Sequence, residues 1–102
     1  MFAEVALYIS TFQSFTYKIP PKYYDIAQIG CRVRVPLGNR TAYGVITSVN
    51  DKTVFKGDIK SIIEMIDDAP ILTENIWVLI RWISYYYFAP IGKVFNTVLP
   101  IN

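Results

Sequence analysis

Arginines, aromatic rings and one glycine turn are what this chain offers to a ligand. In the stretch Gly30-Cys31-Arg32-Val33-Arg34-Val35-Pro36-Leu37-Gly38-Asn39-Arg40, alternation puts Arg32 and Arg34 on one face of a strand and Cys31, Val33 and Val35 on the other. Pro36 is expected to end that strand. Gly38-Asn39 can take the positive backbone angles of a turn, so the β-branched run Thr41 to Val49 returns antiparallel. The expected product is a hairpin with Arg32, Arg34 and Arg40 along an exposed track suited to phosphates, and a glycine loop that a ligand can approach closely. Upstream, Phe15 and Tyr17 sit two apart and so share a strand face, where one ring can reach a ligand while the other fills core.

Other chemistries are excluded by what is missing from the sequence. There is no histidine and Cys31 is the lone cysteine, so the chain can assemble neither a disulfide nor a zinc site, nor a Ser-His or Cys-His nucleophile. Cys31 itself, on the apolar side of its strand, reads as a buried structural thiol. Neither a G-x-x-x-x-G-K-[ST] string nor a G-x-G-x-x-G is present, so no phosphate loop is expected and with it no enzymatic activity and no cofactor of the chain's own. The acidic cluster Glu64, Asp67 and Asp68 reads as the solvated edge of a loop. What is left is a surface of aromatics and cations, the combination that holds single-stranded nucleic acid by base stacking and phosphate neutralisation.

Net charge is only +2, which alone says little about partners, but its distribution is uneven. From Lys18 to Lys60 basic residues outnumber acidic ones by eight to three, whereas from Ser61 onward acidic residues outnumber basic ones by four to two. Lysines and arginines that merely solvate strands would give the same count. An apolar share of 53% with mean hydropathy +0.31 is high for 102 residues, so some apolar surface is expected to face a neighbouring domain. No uninterrupted apolar run approaches the roughly 18 residues of a membrane span, and no basic segment precedes the first apolar stretch. The chain therefore reads as cytoplasmic, with no membrane partner.

The elements that must position these residues follow from the apolar pattern. Phe2 to Ile9 and Phe15 to Ile19 alternate as strands, joined by a polar turn over Ser10 to Ser14 and stopped by Pro20-Pro21. Lys22 to Ile29 is a connection with room for a helical turn, and Asn50 to Asp58 is a loop. Ile59 to Ile66 fits a helical stripe and a strand equally. Thr73 is placed to cap a main helix over Glu74 to Tyr87 whose core stripe is Ile76, Leu79 or Ile80, Ile83 and Tyr87. Pro90 ends it, Ile91 to Asn96 forms a short second helix, and a linker begins at Leu99-Pro100. The fold class is α+β: a small antiparallel sheet or incomplete β-barrel followed by one main helix, with residues 1–102 as a single domain.

Phe15-Thr16-Tyr17, the arginine hairpin, Asp58-Ile59-Lys60 and Tyr85-Tyr86-Tyr87-Phe88-Ala89-Pro90-Ile91-Gly92 occur in an order that resembles one family. It is the N-terminal DNA-binding domain of primosomal protein N′ (PriA), the bacterial replication-restart helicase, and the resemblance spans nearly all of the chain. It implies that Ile59 to Ile66 is a strand closing a barrel-like sheet, and that the chain is the N-terminal fragment of a larger ATP-dependent helicase. The partners it implies are DNA at stalled forks, with the 3′ end of the nascent leading strand, and the remaining helicase domains. ATP and zinc would belong to that larger protein. The implied 3′-end pocket falls on Phe15, Thr16, Tyr17, Gly38 and Lys60, with Thr16 standing where the family pattern has Asp. A small β-barrel that binds protein or RNA within another multidomain enzyme is the alternative.

Overall fold

The computed structural model describes residues 1–9, 13–53, 57–70 and 73–99. Strands β1 (Phe2–Leu7), β2 (Phe15–Lys18), β3 (Arg32–Leu37), β4 (Arg40–Asn50) and β5 (Glu64–Met65) form an antiparallel sheet in the order β2-β1-β4-β3-β5. Helices α1 (Glu74–Tyr86) and α2 (Ile91–Val98) follow. The α+β expectation holds, with the sheet open and a second helix longer than the sequence suggests. A 3-10 turn at Pro21–Tyr23 occupies the connection before β3. Residues 10–12 of the first turn, 54–56 of the long loop and Pro100 of the linker lie outside the described residues.

Alternation in the strands sorts side chains into two cores. Val5, Leu7, Tyr17, Val33, Val35 and Ile46 share one core on one face of the sheet. Ala6 and Val45 point the other way, where Ile80 of α1 and Val94 and Phe95 of α2 cover them. Burying a side chain of this size contributes about 1.5–3 kcal/mol, which is why the period of two holds along β1 and β3 and along β4 as far as Ile46. A bulge between Glu4 and Val5 shifts the register of β1 against β4, so Glu4 lies opposite Ser48 while Val5 lies opposite Ile46.

Pro36 does not end β3, which runs on to Leu37. The carbonyls of Arg32 and Arg34 accept from Ile66 N and Ile63 N on the β5 side, so Pro36, in phase with them, also turns its nitrogen away from β4. β5 pairs with β3 only at Val33 and Arg34, so a missing N–H at Pro36 breaks no ladder. The segment Ile59 to Ile66 is strand-like only in part: an isolated parallel bridge joins Ser61 to Lys18 and then β5 pairs with β3. Its backbone thereby ties the sheet's first and last strands together, with Lys18 N donating to Lys60 O at 2.9 Å and Ile62 N to Lys18 O at 3.0 Å.

Thr73 caps α1, its hydroxyl accepting from Ile76 N at 3.2 Å. Ile76, Ile80 and Ile83 pack inward as the helical period requires, but Leu79 and Tyr87 do not; Tyr87 is 72% exposed. The cause is Phe88, whose φ of 49° turns the chain back so that Ala89 takes the next core position. Ser84 holds that reversal, its hydroxyl donating to Ala89 O at 2.6 Å. Beyond it, a Cβ on Gly92 would overlap the Leu7 carbonyl, so glycine is what lets α2 lie directly on β1. Among the described residues no helix is long and apolar enough to cross a membrane.

Candidate nucleic-acid interface

β2, the tip of the β3–β4 hairpin and the segment before Ser61 meet around a cleft of about 390 Å³. Its walls include Phe15, Thr16, Tyr17, Gly38 and Lys60, so residues from three separate stretches of sequence converge on one space. Pro36, Leu37 and Asp58 complete it together with Gln13 and Ser14 at the start of β2.

Each wall has a local cause. Tyr17 is 5% exposed and its hydroxyl donates to Pro36 O at 2.8 Å, which fastens β2 to the base of the hairpin using the carbonyl that β5 leaves unpaired. Burial raises the Tyr17 phenol above its ordinary value, keeping it a donor. Phe15, one pleat further out, packs on the edge of the same core while its half-exposed ring faces the cleft. The alternation therefore divides the two rings between anchoring and lining.

Leu37 and Arg40 close a two-residue turn in which Gly38 has φ 61° and Asn39 is not in the positive region, the arrangement of a type II′ hairpin with glycine first. Among the described residues no atom lies within 4 Å of where a Gly38 Cβ would stand, which leaves the tip open to an incoming group on that side. Lys60 is exposed, with no carboxylate in ion-pair distance among the described residues, and its backbone is held by the hydrogen bond from Lys18. Thr16 points to the opposite side of β2 from the two rings, across from Glu4, and its hydroxyl donates to Glu4 Oε2 at 2.7 Å.

The expected arginine track is corrected. Arg32 and Arg34 do share a face, but carboxylates from the C-terminal half cover it. Arg32 is bound by Asp67 through Nε at 3.0 Å and Nη2 at 2.9 Å, and its backbone N–H donates to the same carboxylate at 2.9 Å. The side chains of the pair are 18% and 9% exposed. Burial raises the Asp67 carboxyl, and the Arg32 hydrogen bonds and charge more than offset this to hold it below its ordinary range. Arg34 meets Glu64 at a looser 3.3 Å near solvent. The acidic cluster is thus not simply a solvated loop edge: two of its members are the partners of two arginines. Arg40 is exposed, but lines a separate hollow with Tyr8, Ile9 and Tyr43 rather than the cleft.

Cys31 is fully buried with its thiol donating to Ile26 O at 3.5 Å, and burial pushes its pKa up, away from thiolate chemistry. Among the described residues no cluster of three or more His, Cys, Asp or Glu could hold a metal ion. Sequence reasoning missed Glu4 and Asp67. A lone carboxylate inside the apolar strand Phe2-Ala3-Glu4-Val5-Ala6-Leu7 is a signal for the first. No local pattern reports the second, whose partner lies 35 residues away.

Comparison with known proteins converges on one group. The family model for the 3′ DNA-binding domain (3′BD) matches residues 4–100. The replication restart protein PriA of Bacillus subtilis (strain 168) is 36% identical over 87 residues, covering 81% of this chain and 11% of that protein. The replication restart protein PriA of Haemophilus influenzae is 32% identical over 101 residues, covering 97% of this chain and 13% of that protein. The chain thus spans a small fraction of the length of the curated relatives it matches.

Proposed function

The chain belongs to the 3′ DNA-binding domain family of the replication restart proteins PriA, and from that premise we propose that its cleft takes the 3′ end of the nascent leading strand at a stalled fork. In doing so it positions an ATP-driven helicase motor carried by other parts of a larger protein, to which ATP and zinc also belong. The convergence of Phe15, Thr16, Tyr17, Gly38 and Lys60 on one cleft carries this reading. Phe15 supplies a face for the terminal base, and Tyr17 fixes the strand that presents it. Gly38 leaves room for the sugar at the hairpin tip, and Lys60 meets the phosphate behind it. None of these contacts reads a base edge, so the grip is independent of sequence, as a protein that restarts forks anywhere requires.

Arg40 and the solvent side of Arg34 remain phosphate contacts in this proposal. Arg32 is left out because its guanidinium is already taken by Asp67. The test is a fluorescence-anisotropy titration of short single strands that differ only at the terminus. A free 3′-hydroxyl end is expected to bind about tenfold more tightly than the same strand with a 3′-phosphate, with no effect of changing the 5′ end. Equal binding of all ends would leave a general single-strand binder, and no DNA binding at all would favour a protein- or RNA-interaction module.

A further inference from the structure

A second hollow, of about 370 Å³, adjoins the cleft at the hairpin, with Leu37 a wall of both. β4 runs past the end of β1, so among the described residues Arg40, Thr41 and Ala42 pair with β3 alone, and these three line the hollow on the side that β1 leaves open. Tyr8 and Tyr43 complete it with Asn96 of α2. No carboxylate lines it among the described residues.

Two of these side chains are uncommitted. Arg40 is exposed at the end of the glycine turn and has no carboxylate in ion-pair distance among the described residues. Tyr43 is exposed, and across the ladder from it stands Arg34, whose charge Glu64 partly answers. Tyr8 is a fixed wall, its hydroxyl donating to Leu99 O at 2.8 Å while burial pushes its pKa up to about 12.

The hollow that adjoins the cleft at Gln13 and Ser14 is built differently. There the Arg81 guanidinium already lies over the Trp77 ring, 5.7 Å from its centre, and Trp77 is stacked on Phe95 at 5.5 Å. The Glu4 carboxylate, bound by the hydroxyls of Ser14 and Thr16, puts negative charge behind that wall. A strand leaving the cleft on that side meets an engaged cation and an anion. On the other side it meets an uncommitted cation and an open ring.

We propose that the hollow of Arg40 and Tyr43 is a second nucleotide subsite, in which Tyr43 stacks on the base next to the terminal one and Arg40 meets the phosphate between the two nucleotides. A ring paired with a cation is the chemistry that grips single strands without reading their sequence. The proposal rests on the 3′-end reading for what fills the cleft, and adds to it a subsite and a path for the strand across the hairpin.

Anisotropy titrations of the whole chain with 3′-hydroxyl oligothymidylates of one length, intact or with an abasic site second from the 3′ end, test it. Losing that base is expected to weaken wild-type binding about tenfold. Tyr43→Thr, which keeps a strand-forming residue, should weaken the intact strand equally and make the abasic site nearly silent, because both changes remove one contact. Tyr43→Phe should bind as wild type does. Arg40→Ala should lower the log–log salt slope by about 0.7, and Arg81→Ala should leave it unchanged. Should Tyr43→Thr melt early, the wild-type abasic loss and the Arg40→Ala slope still decide. Additive effects of Tyr43→Thr and the abasic site, or a slope lowered by Arg81→Ala and not by Arg40→Ala, would overturn the second subsite alone. Coupling of Tyr43 to bases anywhere along the strand, with no preference for an end, would overturn the 3′-end reading while keeping a strand in the hollow.

Discussion

The outer face of β3 and the cleft beside its hairpin tip both carry cations, and the fold treats them in opposite ways. On β3 the guanidinium of Arg32 is clasped by Asp67 and shielded from water, while Arg34 is partly neutralised by Glu64. In the cleft Lys60 is exposed with no carboxylate in ion-pair distance among the described residues, beside a half-exposed Phe15 and an open glycine turn. A cation held by an internal carboxylate stabilises the fold and has little charge left for a ligand. One left beside an aromatic ring has its charge available. The lesson is that counting arginines on a strand face measures binding potential only after the opposing segment is known.

This contrast is testable, beginning with the pair on β3. Asp67→Asn leaves a mostly buried guanidinium short of its counter-charge and is expected to lower stability by about 3 kcal/mol in chemical denaturation while leaving the DNA affinity of folded protein unchanged. Acid should act on the same bond. Because the folded-state pKa of Asp67 lies below its ordinary 3.8, the unfolded chain binds the proton more readily. The stabilisation is therefore full well above that value and is lost as pH falls below it through the folded-state pKa. Asp67→Asn should flatten this acid limb of the stability profile, and an unchanged limb would mean that Arg32 and Asp67 are not coupled.

Next in size is the ring at the cleft rim. Phe15→Ala is expected to weaken single-strand binding by about 1–3 kcal/mol, the value of one stacked base, with a smaller effect on melting. A loss of stability of about 3–5 kcal/mol would instead assign Phe15 to the core with Tyr17. The smallest effects belong to single charges. Lys60→Ala should reduce the salt dependence of binding by about 0.7 in the log–log slope, as for one phosphate contact on a single strand. Arg34→Ala should change stability by less than about 1 kcal/mol and move the slope by less than Lys60→Ala does. The reverse ranking would return phosphate binding to the arginine face.

Much of this was readable from local pattern, because strands with one buried face announce themselves by a period of two. The hairpin from Arg32 to Asn50, the strand at Phe15 and the Thr73 cap all follow from neighbours within a few residues. What the sequence did not disclose depends on residues far apart in the chain. Pro36 stays in its strand because β5 is short and Tyr17 takes its carbonyl; Arg32 is withdrawn from solvent by Asp67; Thr16 is polarised by Glu4 across the sheet. Tyr87 left its expected stripe for a local reason that composition hides, a positive φ at a phenylalanine. At the cleft, the residue types were legible, but the turning of the Thr16 hydroxyl to Glu4, away from the two rings, was not.

The seating of α2 on β1 has a consequence for how the protein is made. The Leu7 carbonyl against Gly92, Ala6 in one core with Phe95, and the Tyr8 hydroxyl donating to Leu99 O at 2.8 Å all join the first strand to the last helix. A chain growing on the ribosome exposes β1 long before α2 has been synthesised, at about 5–20 residues per second, so the outer face of the sheet waits without its cover. The arginine hairpin can pair early from local contacts, whereas the second core closes only when the last turn of α2 has emerged. Completion of this fold during translation is therefore a late event, set by when the helix that seals the first strand becomes available.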